Sequence, residues 1–184
     1  PLGEWLSPGV FISIDAAMIV LFQALISYLT RRWRTISAML VGTTVATASW
    51  VFPALSPVAA VVGLGIVVWS LGEMTCSARF FEYCGNVAPS DQVALYLGYS
   101  FFAIFLGNLY SGPWAGWLYE RFIRAPMEAG ADPTPLVFFA GVMLMGIVAA
   151  IGLALYAKFI ADTASEEELS LIHISEPTRP RLIS

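Results

Sequence analysis

The sequence predicts an all-α membrane protein, a polytopic bundle of about five transmembrane helices. Of its 184 residues, 58% are hydrophobic and 12% are charged, whereas a typical soluble domain carries about 25% charged residues. The mean hydropathy is +0.76. Long apolar runs recur along the chain, and a helix of about twenty apolar residues crosses the hydrocarbon core of a bilayer. A soluble fold of this size could not bury so much apolar surface, so we expect a lipid bilayer to surround the chain.

Polar residues and prolines divide these apolar runs into separate helices. The first run ends at a basic segment after Leu29, the second at Pro53, the third before Pro89 and the fourth at Glu120. A polar loop with several prolines then leads to the last run. The predicted membrane domain occupies residues 1–168, and its spans are 9–29, 36–53, 58–84, 92–119 and 136–160.

Residues 169–184 differ from the rest of the chain. They follow the acidic run that begins at Glu166, and they fit neither a helical nor a strand period. As far as Arg179 the stretch resembles the translation of a sequencing-library adapter read through in frame, and the remainder continues in the same way. We therefore expect a non-native or disordered tail that packs against nothing in the membrane domain. On this interpretation the genuine sequence stops near residue 168 and begins at an arbitrary cut.

The residue types that are present exclude several kinds of chemistry. His173 lies in that tail, so the predicted membrane domain has no histidine for haem ligation, for a His-based zinc site or for a Ser-His or Cys-His pair. Cys76 and Cys84 fall in one predicted helix, about 12 Å apart along its axis, and cannot form a disulfide. The net charge is −4, and no basic patch suited to nucleic acid is present. We expect no cofactor, no metal, no nucleic-acid partner and no enzymatic activity.

Glu73 is the sharpest functional candidate. It lies well inside the third predicted span, and an ionisable group at membrane depth is costly enough to suggest a function. Arg79 projects elsewhere and can pair with Glu82 on the same helix. Because desolvation disfavours the charged carboxylate, Glu73 is suited to taking up and releasing a proton near neutral pH. The alternative is a hydrogen-bonded glutamate that only pins neighbouring helices. In either role we expect it to point into the bundle, near Trp69 and Ser77.

Four further polar residues are candidates for proton coupling or for a substrate path. Asp15 and Gln23 lie within about 80° of each other around the first helix and could line one side of an aqueous path. Tyr99 and Asn108 belong to a polar side of the fourth span. The alternatives are an aspartate that reaches the nearby headgroups and tyrosines that anchor the helix at the membrane interface.

Small residues predict close helix packing in the last two spans. Gly112 and Gly116 stand four residues apart, and Gly146 with Ala150 repeats this spacing. Such ridges let two helix backbones approach closely. Pro113 lies inside the fourth run and would kink or break that span near its outer end.

The positive charges predict the orientation of the spans, because Lys and Arg are retained in cytoplasmic loops. One side of a five-span chain receives the basic loop and two further positive residues, and the other side receives only Arg121 and Arg124. We therefore place the chain start outside and the basic loop in the cytoplasm. The residues on the cytoplasmic side are Arg31, Arg32, Arg34, Arg79 and Lys158.

Several short motifs follow one another in a characteristic order. They are Leu21-Phe22-Gln23 followed by Arg31-Arg32-Trp33-Arg34, Gly72-Glu73, Arg79-Phe80-Phe81-Glu82-Tyr83, Ala88-Pro89, Tyr96-Leu97-Gly98-Tyr99 and Gly112-Pro113. In this order they resemble the C-terminal half of a twelve-helix major facilitator superfamily transporter, from its eighth to its twelfth helix. The resemblance spans nearly all of residues 1–168. The motif that begins at Arg79 is similar to members near the proton-coupled oligopeptide branch.

The resemblance implies transport of a small solute by alternating access, driven by the proton gradient, in the bacterial inner membrane. It also implies a missing N-terminal half as partner, without which the fragment would be inactive. Two other classes stay open: a small polytopic membrane enzyme, and a non-catalytic membrane assembly subunit. An upstream extension of the gene that encodes seven further spans would separate the first hypothesis from the other two.

We predict that the loop of Arg31, Arg32 and Arg34 faces the cytoplasm. A Trp33→Cys variant should therefore resist labelling by an impermeant thiol reagent added to intact cells, while Ala131→Cys, in the loop expected outside, should be labelled. Efficient labelling at Trp33→Cys would reverse the topology.

Overall fold

The computed structural model describes residues 8–161, and within that range it contains helices and turns and no strand. Five of its helical segments are long and apolar enough to cross a membrane. The predicted all-α bundle of about five spans is therefore confirmed, and the length and composition of its helices fit a multi-pass membrane protein. The predicted tail at residues 169–184, with His173, lies outside the described residues.

Seven α-helices follow one another along the described chain. They are α1 (Pro8–Thr30), α2 (Thr35–Ser49), α3 (Val51–Leu55), α4 (Ala59–Asn86), α5 (Val93–Tyr119), α6 (Ala125–Glu128) and α7 (Pro135–Tyr156). Short α3 continues the direction of α2 after Trp50, so these two helices make up the second span. Single π-helical segments follow α5 at Glu120–Arg124 and α7 at Ala157–Ala161.

Among the described residues, the backbones of two helices come closest where α2 crosses α4. A Cβ atom added at Gly42 would lie 2.7 Å from the Gly72 carbonyl oxygen and from the Cys76 backbone nitrogen. One added at Gly72 would lie 2.7 Å from the Gly42 carbonyl oxygen and 2.9 Å from the Ala46 Cα. These distances are too short for any real Cβ, so the two backbones touch only because both positions are glycine.

Helix α1 packs on α4, and helix α7 packs on α2. On the α1 side, Gln23 Nε2 donates a hydrogen bond of 3.3 Å to the Met74 carbonyl of α4. On the α7 side, Gly146 lies against Thr47 of α2, so closely that any added Cβ would collide with the threonine side chain. Gly146 therefore lies at a helix contact of the kind that its spacing predicts.

Helix α5 is the most exposed of the spans. Near its C-terminal end Trp114 Nε1 donates a hydrogen bond of 3.1 Å to the Gly141 carbonyl of α7, and Leu118 is buried against the same glycine. In contrast, nothing in the described range lies within 4 Å of a Cβ added at Gly112 or Gly116. The close packing predicted for this pair is thus not found among residues 8–161, because the two glycines lie on the open side of the helix.

Pro113 does not break α5, contrary to one of the two outcomes predicted for it. The helix continues through the proline to Tyr119. Proline removes one backbone donor, and a transmembrane helix tolerates that loss when the freed carbonyl finds another partner or a local adjustment of the backbone. A π-helical segment follows α5 only after Tyr119, beyond the turn that contains the proline.

We predict that Gly72→Ala destabilises the bundle, because its new methyl group would meet the Ala46 backbone and could fit only if α2 and α4 moved apart. The expected loss in the free energy of unfolding is about 1–3 kcal/mol, measured by denaturant titration in bicelles. Gly63→Ala on the same helix is the control, since its Cβ meets nothing within 4 Å; it should be neutral or stabilising by up to about 1 kcal/mol. Equal effects of the two variants would contradict the account of this crossing.

Candidate functional site

Glu73 points into the bundle, where its side chain is half-buried. Its Oε2 atom accepts a hydrogen bond of 3.0 Å from Trp69 Nε1, one turn earlier on α4. The side chain lines a cavity of about 610 Å³ between α2, α4, α5 and α7, which we call the Glu73 cavity. Cys76 and Ser77 line the same cavity, as does Trp114 of the fourth span. Of these neighbours, Trp69 and Ser77 are the two that the sequence led us to expect.

Asp15 is held against the same helix from the α1 side. Its Oδ1 atom lies 2.5 Å from the hydroxyl of Ser70, a residue with no solvent exposure. The Ile66 carbonyl, 2.9 Å from the same hydroxyl, competes for its single proton, and the carboxylate is the stronger acceptor. Asp15 also lines a second cavity, of about 570 Å³, which we call the Asp15 cavity. The aspartate therefore has a partner within the bundle, in addition to any contact with headgroups.

An aromatic wall stands between the two cavities. Trp50 and Trp69 line both of them. Their ring centroids are 5.3 Å apart in an edge-to-face arrangement, and Phe139 of α7 stacks on Trp50 at 6.0 Å. Trp69 thus touches the partner ring on one side and donates to the Glu73 carboxylate on the other.

Asp15 and Glu73 are held at neighbouring parts of α4, because Ser70, which bonds to Asp15, lies three residues before Glu73 on that helix. Sequence reasoning named Asp15 and Glu73 separately and did not foresee that the α1–α4 contact brings them together.

Gln23 faces α4, as Asp15 does, but it lines neither of these cavities. Its amide donates to the Met74 carbonyl and also lies 3.4 Å from the hydroxyl of Ser27. The bond to Met74 holds α1 against α4, whereas Ser27 lies one turn further along α1 itself. In the described structure Gln23 is a packing residue.

Tyr99 and Asn108 are exposed residues of α5, and neither lines the Asp15 cavity or the Glu73 cavity. Tyr99 is 63% exposed. Asn108 lies on the same face of α5 as Ile104 and Ser111, which line the Glu73 cavity, and its backbone carbonyl accepts a long bond of 3.5 Å from the Ser111 hydroxyl. The described residues therefore place Asn108 beside the Glu73 cavity but do not bring Tyr99 to either carboxylate.

The basic residues divide between the surface and the interior. Arg31, Arg32 and Arg34 lie in an exposed turn after α1, where the Arg31 guanidinium lies 4.2 Å from the centre of the Tyr28 ring. Arg79 is buried instead. It forms the predicted ion pair with Glu82 and donates a bond of 3.4 Å to the Thr30 hydroxyl, which ties the end of α1 to α4.

Sequence reasoning missed Ser70, Trp50 and Phe139 as parts of the site. Ser70 carried a usable signal, because it lies one helical turn before Glu73 and so shares its side of α4. Trp50 and Phe139 carried none, because aromatic residues are common in apolar spans and only the helix packing brings these two rings together.

The described residues contain no group of three or more His, Cys, Asp or Glu side chains that could hold a metal ion. Cys76 and Cys84 are free thiols, and Cys76 lies 3.4 Å from the Thr43 hydroxyl. Comparison with protein-family models, with curated proteins and with solved structures finds no match for this chain.

We predict a measurable coupling between Ser70 and Asp15. In a double-mutant cycle of Ser70→Ala and Asp15→Ala, the coupling free energy should be about 0.5–1.7 kcal/mol, the range of hydrogen bonds between membrane helices. Ser13→Ala is the control in the same cycle, because the Ser13 hydroxyl bonds only to the Gly9 carbonyl of its own helix. A Ser70–Asp15 coupling as small as that of the control would show that this contact does not hold α1 to α4.

Proposed function

We propose that the chain is the C-terminal part, helices eight to twelve, of a major facilitator superfamily transporter that moves a small solute across the bacterial inner membrane in exchange for or together with protons. The observation that carries the proposal is the carboxylate pair at membrane depth, Asp15 and Glu73, with one cavity beside each. The remaining helices of the transporter would complete the solute path.

The depth of Glu73 supports a role in proton coupling. It lies about 20 Å along α4 from the first residue of that helix, near the middle of a hydrocarbon core about 30 Å thick. A carboxyl group at this depth is costly whether it is charged or deprived of hydrogen bonds. Trp69 supplies one hydrogen bond, and the Glu73 cavity offers room for water. A structural glutamate needs the first of these features, whereas only a proton carrier needs the second.

The arrangement of the cavities supports transport over a fixed structural role. Transporters bind solutes near the bilayer midplane, at sites that open to each side of the membrane in turn. Here two cavities lie on either side of one aromatic wall, made chiefly of Trp50 and Trp69. Movement of these rings would join the cavities or separate them. A scaffold subunit has no need for such cavities.

The test uses the full-length protein, which is encoded by the uninterrupted gene with its expected upstream extension. This protein is reconstituted into vesicles. Glu73→Gln keeps the shape of the side chain and can still accept the Trp69 hydrogen bond, but it cannot titrate. We expect it to abolish proton-driven accumulation of the solute while leaving solute exchange across the membrane largely intact. Glu128→Gln is the matched control, since Glu128 is an exposed residue paired with Arg124, and it should retain both activities.

The outcomes separate the possible roles of this glutamate. Equal loss of accumulation and exchange in Glu73→Gln would assign Glu73 to packing. Unchanged accumulation would remove it from the coupling mechanism and leave Asp15 as the remaining carboxylate of the pair. An uninterrupted gene that encodes no further spans would overturn the assignment to this transporter family.

A further inference from the structure

The Asp15 cavity has an unusual combination of linings. Four aromatic rings border it, and aliphatic side chains complete most of the remaining wall. Its lining residues are Phe11, Ile12, Asp15, Ser49, Trp50, Pro53, Val62, Gly65, Ile66, Trp69 and Phe139. Of these, Asp15 alone carries a formal charge, and no lysine or arginine among them offsets it. The cavity is therefore apolar and aromatic, with a single negative group.

This chemistry selects among ligand classes. An anion or a zwitterion with a leading carboxylate would meet repulsion from Asp15. The side-chain donors that the lining offers it are few: the Ser49 hydroxyl already bonds to the Ala46 carbonyl at 2.7 Å, and the Trp69 indole N–H bonds to Glu73, which leaves the indole N–H of Trp50. A neutral solute with several polar groups could pair with Asp15 or Trp50 and would leave the others unpaired among the apolar side chains. A cation, in contrast, gains from the carboxylate and from the aromatic faces, which attract positive charge.

We propose that the Asp15 cavity binds a monovalent organic cation, with its ammonium group beside Asp15 and the rings of Trp50 and Trp69, and with its apolar body along Val62 and Ile66. Its volume, about 570 Å³, lies in the range typical of small-molecule sites. The Ser70 hydroxyl holds one carboxylate oxygen in position. The second oxygen is left for the ligand.

This inference deepens the proposed function, since it names the substrate class of the transporter and rests on it in that respect. Binding itself, however, needs neither a proton gradient nor Glu73. A failure of Glu73→Gln to affect accumulation would therefore leave the cation site standing. Absence of cation binding would leave the proton-coupling role of Glu73 standing.

The experiment is calorimetric binding of benzyltrimethylammonium to the purified protein from the uninterrupted gene, with neopentylbenzene as the neutral probe of the same shape. We expect saturable binding of the cation and at least tenfold weaker binding of the neutral probe, roughly the value of one desolvated cation–π or charge contact. Equal affinity for the two probes would mean that the cavity is only apolar and would overturn the proposal, as would absence of cation binding.

Three variants locate the site. Asp15→Asn can still accept the Ser70 hydrogen bond, and it should weaken cation binding by about tenfold or more. Trp50→Leu should weaken it by several fold and Trp50→Phe by less, in the order of the attraction of each side chain for a cation. Phe102→Leu is the control, because Phe102 is an exposed aromatic residue on α5 that does not line the cavity, and it should bind as the unchanged protein does. Undiminished binding by Asp15→Asn or Trp50→Leu would overturn the assignment of the cation to this cavity.

Discussion

The contact between the backbones of α2 and α4 is the constraint on which the rest of this bundle depends. Gly42 and Gly72 let the two helices approach until a Cβ on either would collide with the other chain. With α4 fixed in this way, the residue after Gly72 is turned about 100° around the helix axis. This turn carries Glu73 away from the α2 contact and into the cavity between α2, α4, α5 and α7.

The same crossing of α2 and α4 determines where the aromatic wall of Trp50 and Trp69 lies. Gly65 lies on the same helix as Gly72, two turns before it, and a Cβ there would be 3.1 Å from the Phe52 Cβ and 3.3 Å from the Pro53 Cδ. The close fit at Gly65 draws the end of α2 and the start of α3 onto α4, which brings Trp50 against Trp69. Because Gly65 and Gly72 have no side chains, the helices approach closely at both positions. This close approach positions the rings of Trp50 and Trp69 between the cavities.

The sequence predicted the architecture well because a bilayer restricts the choices. Apolar runs of the right length and the residues that interrupt them were enough to locate the five spans, and the local pair of Arg79 with Glu82 followed from their spacing. Helix contacts were harder to predict. The repeat of Ala38, Gly42 and Ala46 has the same four-residue spacing as Gly112 and Gly116, yet only the first three are buried. Spacing indicates which helices can pack closely, but not which neighbour they meet.

The polar contacts of α4 also bear on how the chain is made. Ser70 bonds to Asp15, the Met74 carbonyl accepts from Gln23, and Arg79 donates to Thr30. All three partners belong to α1, which leaves the ribosome before α4 does. When α4 enters the bilayer during synthesis, the groups that match its most polar side chains are already in the membrane. These three groups of α4 can thus exchange water for protein partners without waiting for any helix that follows it.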